Sequence, residues 1–210
     1  MTDQLAYSHP ISRIVLASSS PRRKELVAAM DLSLPVSILS ADVEEWIDPS
    51  WSSEQAVQEL AIRKGNAVRD RLRKQDGPVS SDLVIAADTI VVLDGIPLGK
   101  PEDDGHAREM LTALQGRWHE VYTGVACLPT ASGEDTVCHR LTKVHMKPLS
   151  QDNISRYIAT GEPRDKAGGY GIQGLGSMFI HEIEGCYFNV VGLPVSLLSD
   201  MLRRYGIEAY

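Results

Sequence analysis

The sequence is poor in cysteine. Cys127, Cys138 and Cys186 are the only three in 210 residues, and no CxxC pair occurs. An odd, scattered set of this kind excludes a disulfide framework and reads as reduced thiols in a reducing compartment. Long apolar runs are also missing: nowhere do eighteen uncharged apolar residues stand together, and the nearest approach, LVIAADTIVVL at 83–93, is interrupted by Asp88. The first ten residues, MTDQLAYSHP, contain an acid and no apolar run after a basic start, so they do not form a secretory signal. The chain is therefore expected in the cytoplasm, without a membrane partner. An excess of basic charge is absent too, with 21 Lys and Arg against 28 Asp and Glu and a net charge of -7. That balance opposes non-specific binding to nucleic acid or anionic lipid while leaving room for a local basic pocket. No internal repeat, low-complexity tract or linker divides the chain.

What remains is an ordinary globular composition, 43% hydrophobic and 23% charged. A chain of this length buries roughly 70% of its unfolded surface. Residues 13–18 read as a short buried strand. Ser20 stands as an N-cap with Pro21 at the first helical position, opening a helix to about Met30. Between Glu54 and about Arg73 apolar residues recur at helical spacing, with Arg63, Lys64, Arg69, Arg71, Arg73 and Lys74 on the other face. Gly77-Pro78 stops that helix. A strongly apolar strand follows, and TIVVL meets IPLG across Asp94-Gly95, a hairpin signal. A helix from Asp103 to Gln115, strands at about 119–128 and 135–147 joined around Ser132-Gly133, and a helix from Gln151 to Thr160 come next. After a glycine-dense stretch, SMFIHEI reads as a strand and Pro194 to about Tyr205 as the last helix. The expected fold is α/β, a mixed twisted sheet with flanking helices.

Four segments carry chemistry. Ser18-Ser19-Ser20-Pro21-Arg22-Arg23 joins a strand to a helix N-terminus, which offers N–H groups to an anion. Two arginines on a first turn oppose the helix dipole unless an anion lies between them; the plain alternative is a capped helix with a solvated basic turn. Asp88-Thr89 lies within an apolar strand, where an ionised carboxylate is costly unless paired or metal-bound, although a strand-end turn is the bland reading. Glu44 and Glu45 could return to the same place, and two or three such oxygens suit magnesium or manganese. Lys100 in LGKP and Lys64 on the basic helix face are, on composition alone, as compatible with solvated lysines. Gly169-Tyr170-Gly171-Ile172-Gln173-Gly174 fits GxGxxG by letter, but no strand leads in and no helix follows, so a dinucleotide site is excluded. A loop able to approach a ligand remains, bearing Asp165, Lys166 and Gln173. No His/Cys set has zinc spacing: His106, His119, His139, His145 and His181 are scattered. GxSxG, HExxH and Walker motifs are missing, and Cys186 has no histidine partner at known spacing.

Together these segments resemble the Maf family of nucleoside triphosphate pyrophosphatases. The stretches that carry the resemblance are LASSSPRRKEL at 16–26, IAADTIVVLDGIPLGKP at 85–101, GEPRDKAGGYGIQGLGSMFI at 161–180 and NVVGLP at 189–194. The resemblance implies one domain over residues 1–210, an elongated fold like that of inosine triphosphate pyrophosphatases, with two lobes around one cleft. It implies metal-dependent hydrolysis of a nucleoside triphosphate to the monophosphate and pyrophosphate, with Mg or Mn as the divalent cation. The DKAGGYGIQG form is similar to the dTTP/UTP branch rather than the 7-methyl-GTP branch. Asp88 matches the catalytic aspartate, as general base or metal ligand, and Arg22, Thr89 and Gln173 match positions tied to pyrimidine preference. Ser18, Arg23, Lys64, Lys100 and Lys166 are the expected phosphate-binding set, and Glu45 joins Asp88 as a metal ligand, with Glu44 able to substitute in register. AIRKGNA around Lys64 departs from relatives that carry an acid before the lysine. The family also implies a homodimer and, as a rival reading, a nucleotide-binding regulator of septum formation with little turnover.

Overall fold

The computed structural model of the chain describes residues 11–40, 42–76, 81–131 and 133–209. Seven strands form one mixed sheet among the described residues: β1 (Arg13–Leu16), β2 (Val36–Ile38), β3 (Asp82–Leu93), β4 (Ile96–Leu98), β5 (Trp118–Pro129), β6 (Thr136–Met146) and β7 (Ile180–Glu184). Their order is β2-β1-β3-β5-β6-β7, with β4 added to β3. The pairs β2-β1 and β1-β3 are parallel, and the rest are antiparallel. The helices are α1 (Pro21–Ala28), α2 (Ser53–Asp76), α3 (Asp104–Leu114), α4 (Gln151–Ala159), α5 (Tyr187–Val191) and α6 (Val195–Arg203). The mixed sheet with flanking helices is the architecture the sequence predicts. No helix of the described residues is long and apolar enough to cross a membrane.

Strand alternation divides the core between two faces. Val84 and Ala86 pack under Ala61, Val68 and Leu72 of α2, while Ile90 and Val92 meet Ala56 and Val57 of the same helix. Leu83, Ile85 and Ala87 point the other way, onto Val27 of α1 and Leu198, Met201 and Leu202 of α6. Farther along that second face, Val91 and Leu93 pack with α3 and α4. Glycine lets α2 lie directly on the sheet: a Cβ at Gly124 of β5 would come 2.2 Å from the Val57 carbonyl oxygen.

The long central strand leaves one opening. β1 pairs with Asp82–Ile85 and β4 with Val91–Leu93, both on the same edge of β3 because β5 occupies the other. Among the described residues, 86–90 therefore have a ladder partner only on the β5 side. Asp88 and Thr89 lie in this gap. Being consecutive, they face opposite sides of the sheet, and both remain within reach of one cleft.

Several boundaries differ from the sequence expectation. Ser20 is the residue before α1, but its side chain makes no capping bond; Ser18 Oγ instead accepts the Ser20 N–H at 3.2 Å. The predicted strand SMFIHEI begins only at Ile180, because Gly174–Phe179 turn as a 3-10 segment whose Leu175 and Gly176 amides donate to Glu162. The last helix is shorter, and α5 precedes it. The edge strand β2 is only three residues long, too short for its Val-Ser-Ile alternation to announce it, and Val36 and Ile38 are both exposed. The Gly77-Pro78 stop and Ser132 lie outside the described residues. The Asp94-Gly95 hairpin forms with both residues at positive φ, 52° and 79°, as a tight two-residue turn requires.

Candidate active site

A cleft of about 480 Å³ opens at the gap in β3. It is lined by all ten of the predicted site residues: Ser18, Arg22, Arg23, Glu45, Lys64, Asp88, Thr89, Lys100, Lys166 and Gln173. Glu44, the alternative in register, instead lies in a separate surface depression with Val43, Trp46 and Arg63.

On the α2 side of the sheet, Lys64 reaches down to Asp88. Its Nζ hydrogen-bonds Asp88 Oδ1 and also Glu45 Oε1, the latter at 2.7 Å. Lys100, which follows β4 and Gly99, approaches Glu45 Oε2 at 3.4 Å. Burial acts to raise the Glu45 pKa, but hydrogen bonds and charge from Lys64, joined by Lys100, outweigh it and hold the carboxyl below its ordinary range. Asp88 is buried, yet its Oδ2 makes no hydrogen bond among the described residues. Lys64 is thus not one more solvated lysine of a basic helix face. Its neighbours on that face also have partners: Arg69 pairs with Asp135 at 2.6 Å and Arg73 donates to the Thr130 carbonyl.

On the opposite side, Arg23 is braced rather than free. Its Nε donates to the Gly192 carbonyl at 2.7 Å and its Nη2 to Thr89 Oγ1 at 3.0 Å. Burial pulls the guanidinium pKa down, although Asp88 and Glu45 act in the other direction. The chain continues from Thr89 to Thr123 at 2.9 Å, and Thr123 Oγ1 donates to the Asn189 carbonyl. A hydroxyl has one proton. Since the Thr123 proton goes to Asn189, Thr89 must give its own to Thr123; with one lone pair accepting from Arg23, it has one acceptor site left and no donor. Asn189 is fully buried and is itself held, its amide donating to the Val121 carbonyl and Thr142 Oγ1.

A third wall comes from the glycine-rich segment. Lys166 Nζ donates to the Glu162 carbonyl at 2.5 Å and to Asp165 at 2.6 Å, and Arg22 stands 3.7 Å from the same aspartate. Burial opposes ionisation of Asp165, but Lys166 and Arg22 prevail and lower its pKa. The Glu162 carboxylate fixes the loop from behind. It accepts from the Leu175 and Gly176 amides, each at 3.0 Å, and from Tyr157 Oη. Gln173 projects from this loop into the cleft lining.

Sequence reasoning singled out Asp165 as a polar group of the loop but missed the supporting roles of Glu162, Thr123 and Asn189. Glu162 lies inside the matched stretch at 161–180 and Asn189 opens NVVGLP, so a signal is present; what they hold depends on partners 13 and 14 positions away for Glu162 and 47 to 68 away for Asn189. Cations and carboxylates alternate around the cleft, a seat for a polyanion able to displace the internal acids. As donors for a divalent cation, Asp88 and Glu45 both converge on the point that Lys64 Nζ fills. Two hard oxygens there fit magnesium or manganese carried on phosphate. Among the described residues no trio of His, Cys, Asp or Glu ligand atoms comes together in the cleft.

Residues 13–205 match the family of Maf-like proteins. A dTTP/UTP pyrophosphatase of Desulforamulus reducens is 50% identical over 195 residues, covering 93% of this chain and 97% of that protein. A dTTP/UTP pyrophosphatase of Acetivibrio thermocellus is 44% identical over 196 residues, covering 93% and 96%. Among solved structures, the Staphylococcus aureus Ham1 protein aligns with a TM-score of 0.46 and 19% identity over 80% of each chain.

Proposed function

The chain belongs to the Maf family, and we propose that it hydrolyses dTTP and UTP to the nucleoside monophosphate and pyrophosphate, with a divalent cation, Mg or Mn, held by Asp88 and Glu45. The observation that carries this reading is the convergence of Lys64 on those two carboxylates in a cleft that also presents Arg22, Arg23, Lys100 and Lys166. The names of its relatives, dTTP/UTP pyrophosphatases at 50% and 44% identity, support the substrate class.

A triphosphate brings three to four negative charges, and hydrolysis of its anhydride needs positioning and charge neutralisation more than covalent help. Lys64 and Lys100 act as point charges on the phosphates. Arg22 and Arg23 offer planar, multidentate donors. Arg23 is held in place before substrate arrives, so its orientation costs no side-chain entropy at binding. Phosphate oxygens compete with Glu45 for Lys64 and Lys100, and with Asp165 for Arg22 and Lys166. As Lys64 shifts toward phosphate, Asp88 gains freedom to accept a proton from the attacking water or to hold the cation. The cation, when bound, supplies Lewis-acid neutralisation of phosphate charge. Gln173, with one donor and one acceptor group, and Thr89, with an acceptor only, suit reading of the nucleoside. Incubation with dTTP, with and without magnesium, tests the reaction. One monophosphate and one pyrophosphate are expected per triphosphate consumed; release of inorganic phosphate as the primary product contradicts it.

A further inference from the structure

We propose that His145, His181 and Glu182 form a second metal site, for a borderline transition-metal ion of the zinc class, on the β6-β7 edge and outside the cleft. Their spacing in the sequence gives no hint of it; the sheet brings them together. In the β6-β7 ladder, His145 opposes Glu182 while Met146 opposes Ile180, so His181 has no opposite number on β6. This is a β-bulge. In a regular strand, residues 181 and 182 would face opposite sides of the sheet, whereas a bulge re-aims one of them. Here one ligand atom from each of His145, His181 and Glu182 lies within 4.8 Å of the other two.

His145 Nδ1 is 3.7 Å from Glu182 Oε1. Tetrahedral donors about 2.1 Å from zinc stand about 3.4 Å apart, so that pair is nearly set, and the exposed His181 offers its ligand atom within 4.8 Å of both. His145 Nδ1 is also shielded from solvent and makes no hydrogen bond among the described residues. A shielded ring nitrogen with a carboxylate nearby but no hydrogen bond calls for an explanation, and a metal ion between the two supplies one. Trp118 stacks on the His145 ring, with centroids 4.9 Å apart and planes 15° from parallel, which fixes the ligand's orientation. Two imidazoles and one carboxylate suit Zn²⁺, Co²⁺ or Ni²⁺ rather than Mg²⁺, which prefers oxygen donors. An ion bound here ties β7 to β6 immediately after the loop that carries Gln173, and so adds to the stability of the folded chain.

The test is calorimetric titration of the full-length protein with Zn²⁺, with Co²⁺ as an optical probe. One Zn²⁺ is expected to bind at least tenfold more tightly to the wild type than to His181→Ala and Glu182→Gln. Both altered residues are exposed, and both variants should retain dTTP turnover with magnesium. Co²⁺ should quench tryptophan fluorescence, and Trp118→Phe should remove the quenched component. Asp88→Asn should bind Zn²⁺ as the wild type does. Equal Zn²⁺ affinity in wild type and both variants, or loss of binding in Asp88→Asn with retention in His181→Ala, overturns the proposal.

Discussion

Lys64 of α2 hydrogen-bonds the carboxylate of Asp88 on β3, 24 positions away in sequence, across the face of the sheet. A lysine and an aspartate that separately read as a helix-surface charge and a strand anomaly become one unit. Each supplies what makes the other tolerable there: a buried carboxylate gains a cation, and a shielded ammonium gains acceptors. The distance that allows this depends on how closely α2 lies on β5.

Gly124→Ala tests that closeness. The new Cβ would sit 2.2 Å from the Val57 carbonyl oxygen and 2.8 Å from the Gln58 amide, backbone atoms that cannot rotate aside. Pushing α2 outward should cost about 3 kcal/mol of stability, at the upper end of overpacking penalties. It should lower kcat as well, since Lys64 moves with the helix. Urea unfolding and dTTP turnover measure both; a variant of unchanged stability would show that the sheet and helix yield freely.

The chain of hydrogen bonds from Arg23 through Thr89 and Thr123 to Asn189 has a fixed direction. Thr89→Val leaves Arg23 Nη2 without its acceptor and should cost about 1–3 kcal/mol of stability. Arg23→Lys cannot reach the Gly192 carbonyl and Thr89 together with the planar geometry that arginine uses. KM for dTTP should rise in both variants. Unaltered KM in Arg23→Lys would mean that the bracing does not position a phosphate contact.

Glu162 does not line the cleft; its carboxylate holds the glycine-rich loop from behind through the Leu175 and Gly176 amides. Burial opposes its ionisation, but hydrogen bonds from Gly176, Leu175 and Tyr157 and the charge of Lys166 lower its pKa below 4.5. A depressed carboxyl pKa means that the stabilisation is present above pH 4.5 and is lost as pH falls through the folded-state value. Glu162→Gln should raise KM for dTTP about tenfold with a smaller change in kcat, by loosening Gln173. An equal fall in kcat at unchanged KM would instead place Glu162 in the chemical step.

His119 supplies a separate pH signature. Burial is the main cause that lowers its pKa from 6.5 to about 4, and its Nε2 lies 2.5 Å from Tyr170 Oη. The unfolded chain therefore takes up this proton at higher pH than the folded chain. Stability from His119 is complete above pH 6.5 and is lost as pH falls toward 4, by about 3 kcal/mol in all. In His119→Gln the decline of stability between pH 6.5 and 4 should be shallower; a slope identical to wild type contradicts the assignment.

Much of this was legible in the sequence, and the reason differs by element. Local rules sufficed where one residue dictates the backbone: Asp94-Gly95 turned the hairpin, and Gly161 closed α4 at a φ of 76°. The ten residues that the motifs mark all line one cleft. Partners were not legible, because Lys64 and its solvated look-alikes share one letter until the fold shows which reaches a carboxylate. β2 is not legible because three residues, with both apolar side chains exposed, are too few for an alternation to stand out. The glycine-rich segment misled at its end, where SMF reads as strand but the Glu162 carboxylate has already taken the amides before it. Glu182 meets His145 as its ladder partner, and His181 joins them only through a bulge, which no spacing rule anticipates.

The most direct test of the account is kcat/KM over a panel of nucleoside triphosphates, for the wild type and for Asp88→Asn. dTTP and UTP should lead the panel, ahead of 7-methyl-GTP. Asp88→Asn should lose at least about 100-fold of that activity while keeping its fold, as removal of a positioned proton acceptor or cation ligand requires. Turnover of no nucleotide by the wild type, or substantial pyrophosphate release by Asp88→Asn, would contradict it.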